Sequence, residues 1–189
     1  MRGLSRNSSR LVAVGCWIVV VASLWHLRAN MRPSTAAMFV PGPRNELLLV
    51  FVASSRCPWI DTPDLRSAVE RARQGVRKAA EAEGLHFGSI GIAVDVGVNE
   101  GTAMLRDFGP FDEVVAGRSW VNTGALSYVW RDLPGIAAVP QVLVVRRNLK
   151  WEGDGYEVTG EWVRLRKIGG AEIAGWSAAA FDDVGPEER

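Results

Sequence analysis

The run LLLVFVA, Leu47–Ala53, is apolar at every one of its seven positions. A half-buried strand alternates its faces with period two, so a run of this kind leaves no side for water. It belongs at the centre of a sheet covered on both faces, with Ser54 and Ser55 ending it. The segment DTPDLRSAVERARQGVRKAAEAEG follows. In it Leu65, Ala68, Val69, Ala72, Val76, Ala79 and Ala80 recur at three- and four-residue steps and form one apolar stripe. Thr62 is placed to cap this helix, Pro63 suits its first position and Gly84 its end. FGSIGIAVDVG then reads as a second strand, and strand, helix, strand implies a parallel pair.

Beyond it, NEGTAMLRDFG predicts a short helix capped by Asn99, and FDEVVAG a brief strand. NTGALSYVWRDLPG predicts another helix, with Leu126, Val129 and Trp130 on one side and Pro134 closing it. VPQVLVVRRN is a strand, KWEGDGYEVTGE is turn-rich, and EWVRLRKIGG is a returning strand with imperfect alternation. AEIAGWSAAAF suits a closing helix with Ile173, Trp176 and Ala180 on one face. The order describes an α/β sandwich, a mixed central sheet flanked by helices with an antiparallel edge.

Charge is unevenly distributed. The chain of 189 residues carries 22 Lys and Arg against 21 Asp and Glu, and all the acids lie at Glu46 or later. From Leu47 onward 16 basic residues face 20 acidic ones. A mildly acidic domain whose basic runs never exceed a pair offers no footprint for nucleic acid. Residues 1–10 carry Arg2, Arg6 and Arg10, and residues 11–27, LVAVGCWIVVVASLWHL, then run uncharged for 17 positions. That is the short edge of a bilayer span. A cleavage site is poorly placed, because the small pair Ser34 and Ala36 lies beyond Arg28 and Arg32. AVGC, Ala13–Cys16, mostly precedes the apolar run, the wrong order for a lipoprotein box. The reading adopted is a single-pass signal-anchor through residues 11–27. Residues 1–10 are then cytoplasmic and the C-terminal domain extracytoplasmic. A Pro- and Ala-rich linker over 28–46 leads to a domain over 47–181 and a tail over 182–189.

Two local features qualify this order. Cys57 stands just past the first strand, in SSRCPWID, and Pro140 opens the strand in AAVPQVLVV. Together they resemble the thioredoxin-like superfamily over about Leu47 to Phe181. The resemblance implies a thioredoxin-like sandwich with a cis Val139–Pro140 bond facing Cys57. It implies thiol–disulfide exchange through Cys57 as the catalytic residue, a partner segment held by Trp59, Val139 and Pro140, and no cofactor. With a membrane anchor, the chain is similar to tethered thioredoxin-like proteins that maintain cytochrome or envelope thiols.

The departures from that family shape the function. Ile60 occupies the resolving position, Cys57 is the one cysteine of the domain, and Cys16 falls in the membrane segment. A dithiol enzyme escapes its mixed disulfide because a neighbouring thiol attacks it. LLLVFVA also lacks the buried acid of thioredoxins. The long helix starts several residues after Cys57, which weakens the help a helix dipole gives a thiolate, and Arg56 supplies part of it. Two readings stay open. One is monothiol exchange with a thiol supplied by a partner protein. The other is a redox-inactive binding or adaptor module, with Cys57 packed as a small hydrophobe. A peroxiredoxin-like peroxidase is a third, lesser reading: Ser54 has the spacing and Arg118 or Arg131 the charge, but Val50 stands where that branch has proline. His86 is the only histidine of the domain, which argues against a metal site or a Ser/His/Asp arrangement. Trp120, Trp130, Trp151, Trp162 and Trp176 read as core and hairpin anchors.

Overall fold

A computed structural model describes residues 44–131, 135–179 and 181. The expected cytoplasmic stretch, the membrane segment 11–27, all but the last three residues of the linker 28–46, and the tail 182–189 lie outside the described residues, as do Pro134 and Ala180. Among the described residues no helix is long and apolar enough to cross a membrane.

The elements run β1 (Arg44–Ala53), α1 (Pro63–Ala82), β2 (His86–Ala93), α2 (Val98–Asp107), β3 (Glu113–Val115), a 3₁₀ turn (Ser119–Val121), α3 (Thr123–Tyr128), β4 (Gln141–Glu152), β5 (Gly155–Ile168) and α4 (Gly170–Ala178). They build an α/β domain with a mixed five-stranded sheet in the order β3-β2-β1-β4-β5. β1 lies parallel to β2, in the register Leu47↔Phe87 to Ala53↔Ala93, and antiparallel to β4. β3 extends the parallel side, and β5 closes the antiparallel side as an edge.

The central position of β1 explains its unbroken apolar run. Leu47, Leu49, Phe51 and Ala53 enter a core with Leu65, Val69 and Val76 of α1, Leu105 of α2 and Ile173 of α4. Leu48, Val50 and Val52 enter the opposite core, with Ala125 and Tyr128 of α3 and Leu143 and Val145 of β4. β1 also takes in Arg44, Asn45 and Glu46, which the sequence assigns to the linker. Their backbones continue the ladder opposite Leu149, Asn148 and Arg147, so strand pairing carries the domain three residues further back.

Other boundaries shift for local reasons. Thr62 is the N-cap of α1, but its hydroxyl donates to the Trp59 carbonyl instead of accepting from the helix. α2 starts at Val98 with Gly97 as its N-cap, so Asn99 lies inside the helix. α3 is only six residues long and does not bury Leu126, which is 51 % exposed. Gly124 faces the sheet so closely that a Cβ there would meet Ile92 at 2.9 Å, and Leu126, two residues on, therefore turns away. The turn-rich stretch after Lys150 is mostly strand: only Gly153 and Asp154 make the turn, with Gly153 at φ +62°. Trp151 and Tyr156 stack edge-on across it at 5.1 Å. Register shifts at Val144/Val145 and Asn148/Leu149 account for the imperfect alternation of β5.

The hairpin is tied to the helical layer by one carboxylate. Glu83, the C-cap of α1, accepts from Arg146 at 3.0 Å and from both terminal nitrogens of Arg164 at 2.7 and 3.0 Å. All three side chains are largely buried, so removing the carboxylate takes a shared acceptor away from two guanidinium groups. Glu83→Ala is expected to cost about 3 kcal/mol. Thermal unfolding checks this, with Tm falling by roughly 10 °C.

Candidate functional site

β1, β2 and β3 end, and β4 begins, at one edge of the sheet. The loops after these strands meet there, and the Cys57 loop is among them. Two tight turns shape it: Cys57 N–H donates to Ser54 O at 3.1 Å, and Ile60 N–H to Cys57 O at 3.0 Å. Helix α1 begins only at Pro63, so Cys57 stands on a loop. Its side chain is 9 % exposed and packs in the core beside Ile60 and Leu65. The thiol donates to the Val139 carbonyl at 3.3 Å.

Three of the four sequence-predicted site residues are therefore brought together. Val139 is half-buried between the two cores, and the cis Val139–Pro140 bond leads into β4. Pro140 itself is buried, and its carbonyl accepts from Gly169 N–H at 2.8 Å. Trp59 differs: it is 65 % exposed. It flanks an apolar groove of about 220 Å³ with Thr62, Leu65, Gly170, Ala171 and Ala174. Ile60, at the position where a second cysteine would stand, is buried.

Two buried polar residues hold this corner, and neither was singled out by the sequence. Asp95, just past β2, is 3 % exposed. Its carboxylate accepts from Ser54 Oγ at 3.0 Å, Ser55 Oγ at 2.7 Å and Ser55 N–H at 3.1 Å. Gln141, fully buried at the start of β4, donates to Ala138 O at 2.8 Å and Ile136 O at 3.3 Å, and accepts from Arg166 at 3.0 Å. A signal existed for both: each is a lone polar residue beside an apolar run, in IGIAVDV and VPQVLVV.

The rim of this edge carries large apolar side chains between exposed polar ones such as Arg56 and Arg118. Trp59, Val96, Val98, Val121 and Ile136 stand exposed there, out of the eight large hydrophobic side chains exposed among the described residues. A wider cleft between α1 and α2 carries mixed charge, with Arg66 paired to Asp107 at 3.2 Å. Among the described residues no three of His, Cys, Asp and Glu gather as a metal ligand set would. Asp95 spends its oxygens on the loop. The corner can thus pack a reduced thiol and present apolar surface to an extended chain.

The opposite sheet face carries a polar cluster. Arg147 binds Glu46 at 2.7 and 2.9 Å, and Tyr128 Oη lies 3.5 Å from a Glu161 oxygen that belongs to the same carboxylate as the partner of Arg131. Burial works against the Arg147 charge, but the Glu46 hydrogen bond and charge, with Tyr128 and Glu113, outweigh it and raise its pKa. Burial, then the Glu161 charge, pushes the Tyr128 phenol from 10.0 up to about 12. The folded chain thus holds this proton more tightly than the unfolded one. The stabilisation is complete below pH 10 and is lost as pH rises through about 12. The chain has two tyrosines, so tyrosinate absorbance is expected to show one ionising near pH 12, a step that Tyr128→Phe removes.

No protein-family model, curated protein or solved structure matches the chain. Fold and site together define an α/β domain with a buried thiol at the strand-end edge of a mixed sheet. Gln141→Leu keeps the size of the side chain but strips the Ile136 and Ala138 carbonyls of their donor. It is expected to cost about 2 kcal/mol, read by urea unfolding as a lower midpoint at unchanged slope.

Proposed function

We propose that the domain is a thioredoxin-like module, carried on the N-terminal membrane anchor, that binds an extended segment of another envelope protein at the corner beside Val139 and Pro140. One observation carries the choice of binding over catalysis. Cys57 is buried, and its thiol donates a hydrogen bond to the Val139 carbonyl, an arrangement that suits a packed side chain more than an exposed nucleophile. The surface around it supports the same reading. Trp59 and the groove between the start of α1 and α4 supply an aromatic anchor and an apolar slot, and the exposed apolar side chains are of the kind that mark an interaction site.

A second reading is favoured by the contact between Cys57 and Val139, which sets the thiol where a bound segment would pass. In it Cys57, deprotonated, attacks one sulfur of a partner's disulfide. The other sulfur leaves as a thiolate, and a second partner thiol later displaces Cys57 from the mixed disulfide.

Selection of short displayed peptides against the full chain in lipid nanodiscs separates the two. Binding predicts enriched peptides without cysteine. Their affinity falls roughly thirtyfold in Trp59→Ala. Ala171→Glu, on the groove wall, weakens them comparably, and Cys57→Ser leaves them unchanged. Enrichment of cysteine-containing peptides alone, lost in Cys57→Ser, would replace binding by exchange.

A further inference from the structure

The Cys57 loop is joined to the neighbouring strand through a single buried carboxylate. Ser54 Oγ, Ser55 Oγ and Ser55 N–H all converge on Asp95, while Arg56 N–H turns back to Ser54 Oγ at 3.2 Å. Cys57 N–H in turn hangs on Ser54 O. The position of the thiol is thus transmitted residue by residue from Asp95. On the other flank, the Asp95 carbonyl accepts from Ser119 N–H at 3.0 Å, and Val96 O accepts from Arg118 N–H at 3.3 Å. One residue therefore joins the loops after β1, β2 and β3. Its surroundings leave no slack: a Cβ on Gly101 of α2 would meet Ala93 Cβ at 2.6 Å and Asp95 Oδ2 at 3.5 Å.

A buried carboxylate that accepts several hydrogen bonds is held far more strongly than a neutral polar group, because losing its donors leaves the charge unsatisfied. Three residues separate Cys57 from Asp61, and in this loop Arg56, Pro58, Trp59 and Asp61 are open to solvent around the buried Cys57 and Ile60. Such a loop opens locally unless something anchors it. We infer that Asp95 is a positioning residue that acts as a latch: its hydrogen bonds to Ser54 and Ser55 hold the Cys57 loop closed, and release of that carboxylate exposes the thiol. Thiol access is set by this latch whether or not a partner segment binds at the corner, so it is measured without a partner.

The test uses the full chain with Cys16→Ser, which leaves Cys57 as the single thiol. Its rate of alkylation by iodoacetamide is followed well below the melting temperature. Asp95→Asn is expected to raise that rate about tenfold, as the loss of a charge-assisted anchor requires. Ser54→Ala with Ser55→Ala, made from the loop side, is expected to do the same and carries the test should Asp95→Asn not fold. Glu83→Ala serves as the control, because it destabilises the domain at the hairpin and touches no part of the loop. The latch predicts an unchanged rate in Glu83→Ala. Equal acceleration in Glu83→Ala, or no acceleration in the loop-side variant, overturns it and leaves Asp95 a merely structural residue.

Discussion

Burial of β1 on both faces is the constraint from which the rest of the domain follows. Two helical layers are needed to cover it, and α1, α2 and α4 on one side with α3 on the other provide them. A strand so enclosed must pair on both edges to satisfy its backbone, which places β2 parallel on one side and β4 antiparallel on the other. That geometry in turn brings the end of β1 beside the start of β4. Cys57 and Val139 lie 82 residues apart in the chain, and they meet because the central strand is flanked in this way.

The corner itself is organised by buried polarity more than by apolar packing. Asp95 holds the loop that carries Cys57, and Gln141 holds the segment that carries Val139. Each side of the thiol contact is therefore referenced to a polar group deep in the sheet edge. Such groups are costly unless fully satisfied, and here both are, which makes the corner a defined surface instead of a loose loop. A module that presents apolar surface to a partner gains from that rigidity, since less order has to be imposed on binding.

Much of this is legible in the sequence alone. LLLVFVA could only be central, and the stripe from Leu65 to Ala80 could only be one face of a helix. The meeting of Cys57 with Val139 and Pro140 was expected from resemblance, not from pattern. What stayed hidden has a common cause in distance along the chain. Asp95 acts on serines 40 and 41 residues away, and Gln141 takes its donor from Arg166, 25 residues on. No local periodicity reports such partners. Local rules also lost where packing overrode them: Gly124 had to face Ile92, so Leu126 went to solvent, and two register shifts blurred the alternation of β5.

The central claim is that Cys57 rests as a packed, hydrogen-bonded thiol at a binding corner. It is tested most directly by comparing its alkylation rate in the folded full chain carrying Cys16→Ser with the rate after unfolding in urea. A thiol buried at 9 % exposure and bonded to Val139 O reacts only through local opening, so the folded rate is expected to be slower by roughly a hundredfold. A folded rate equal to or faster than the unfolded one would contradict the account and identify Cys57 as an activated nucleophile.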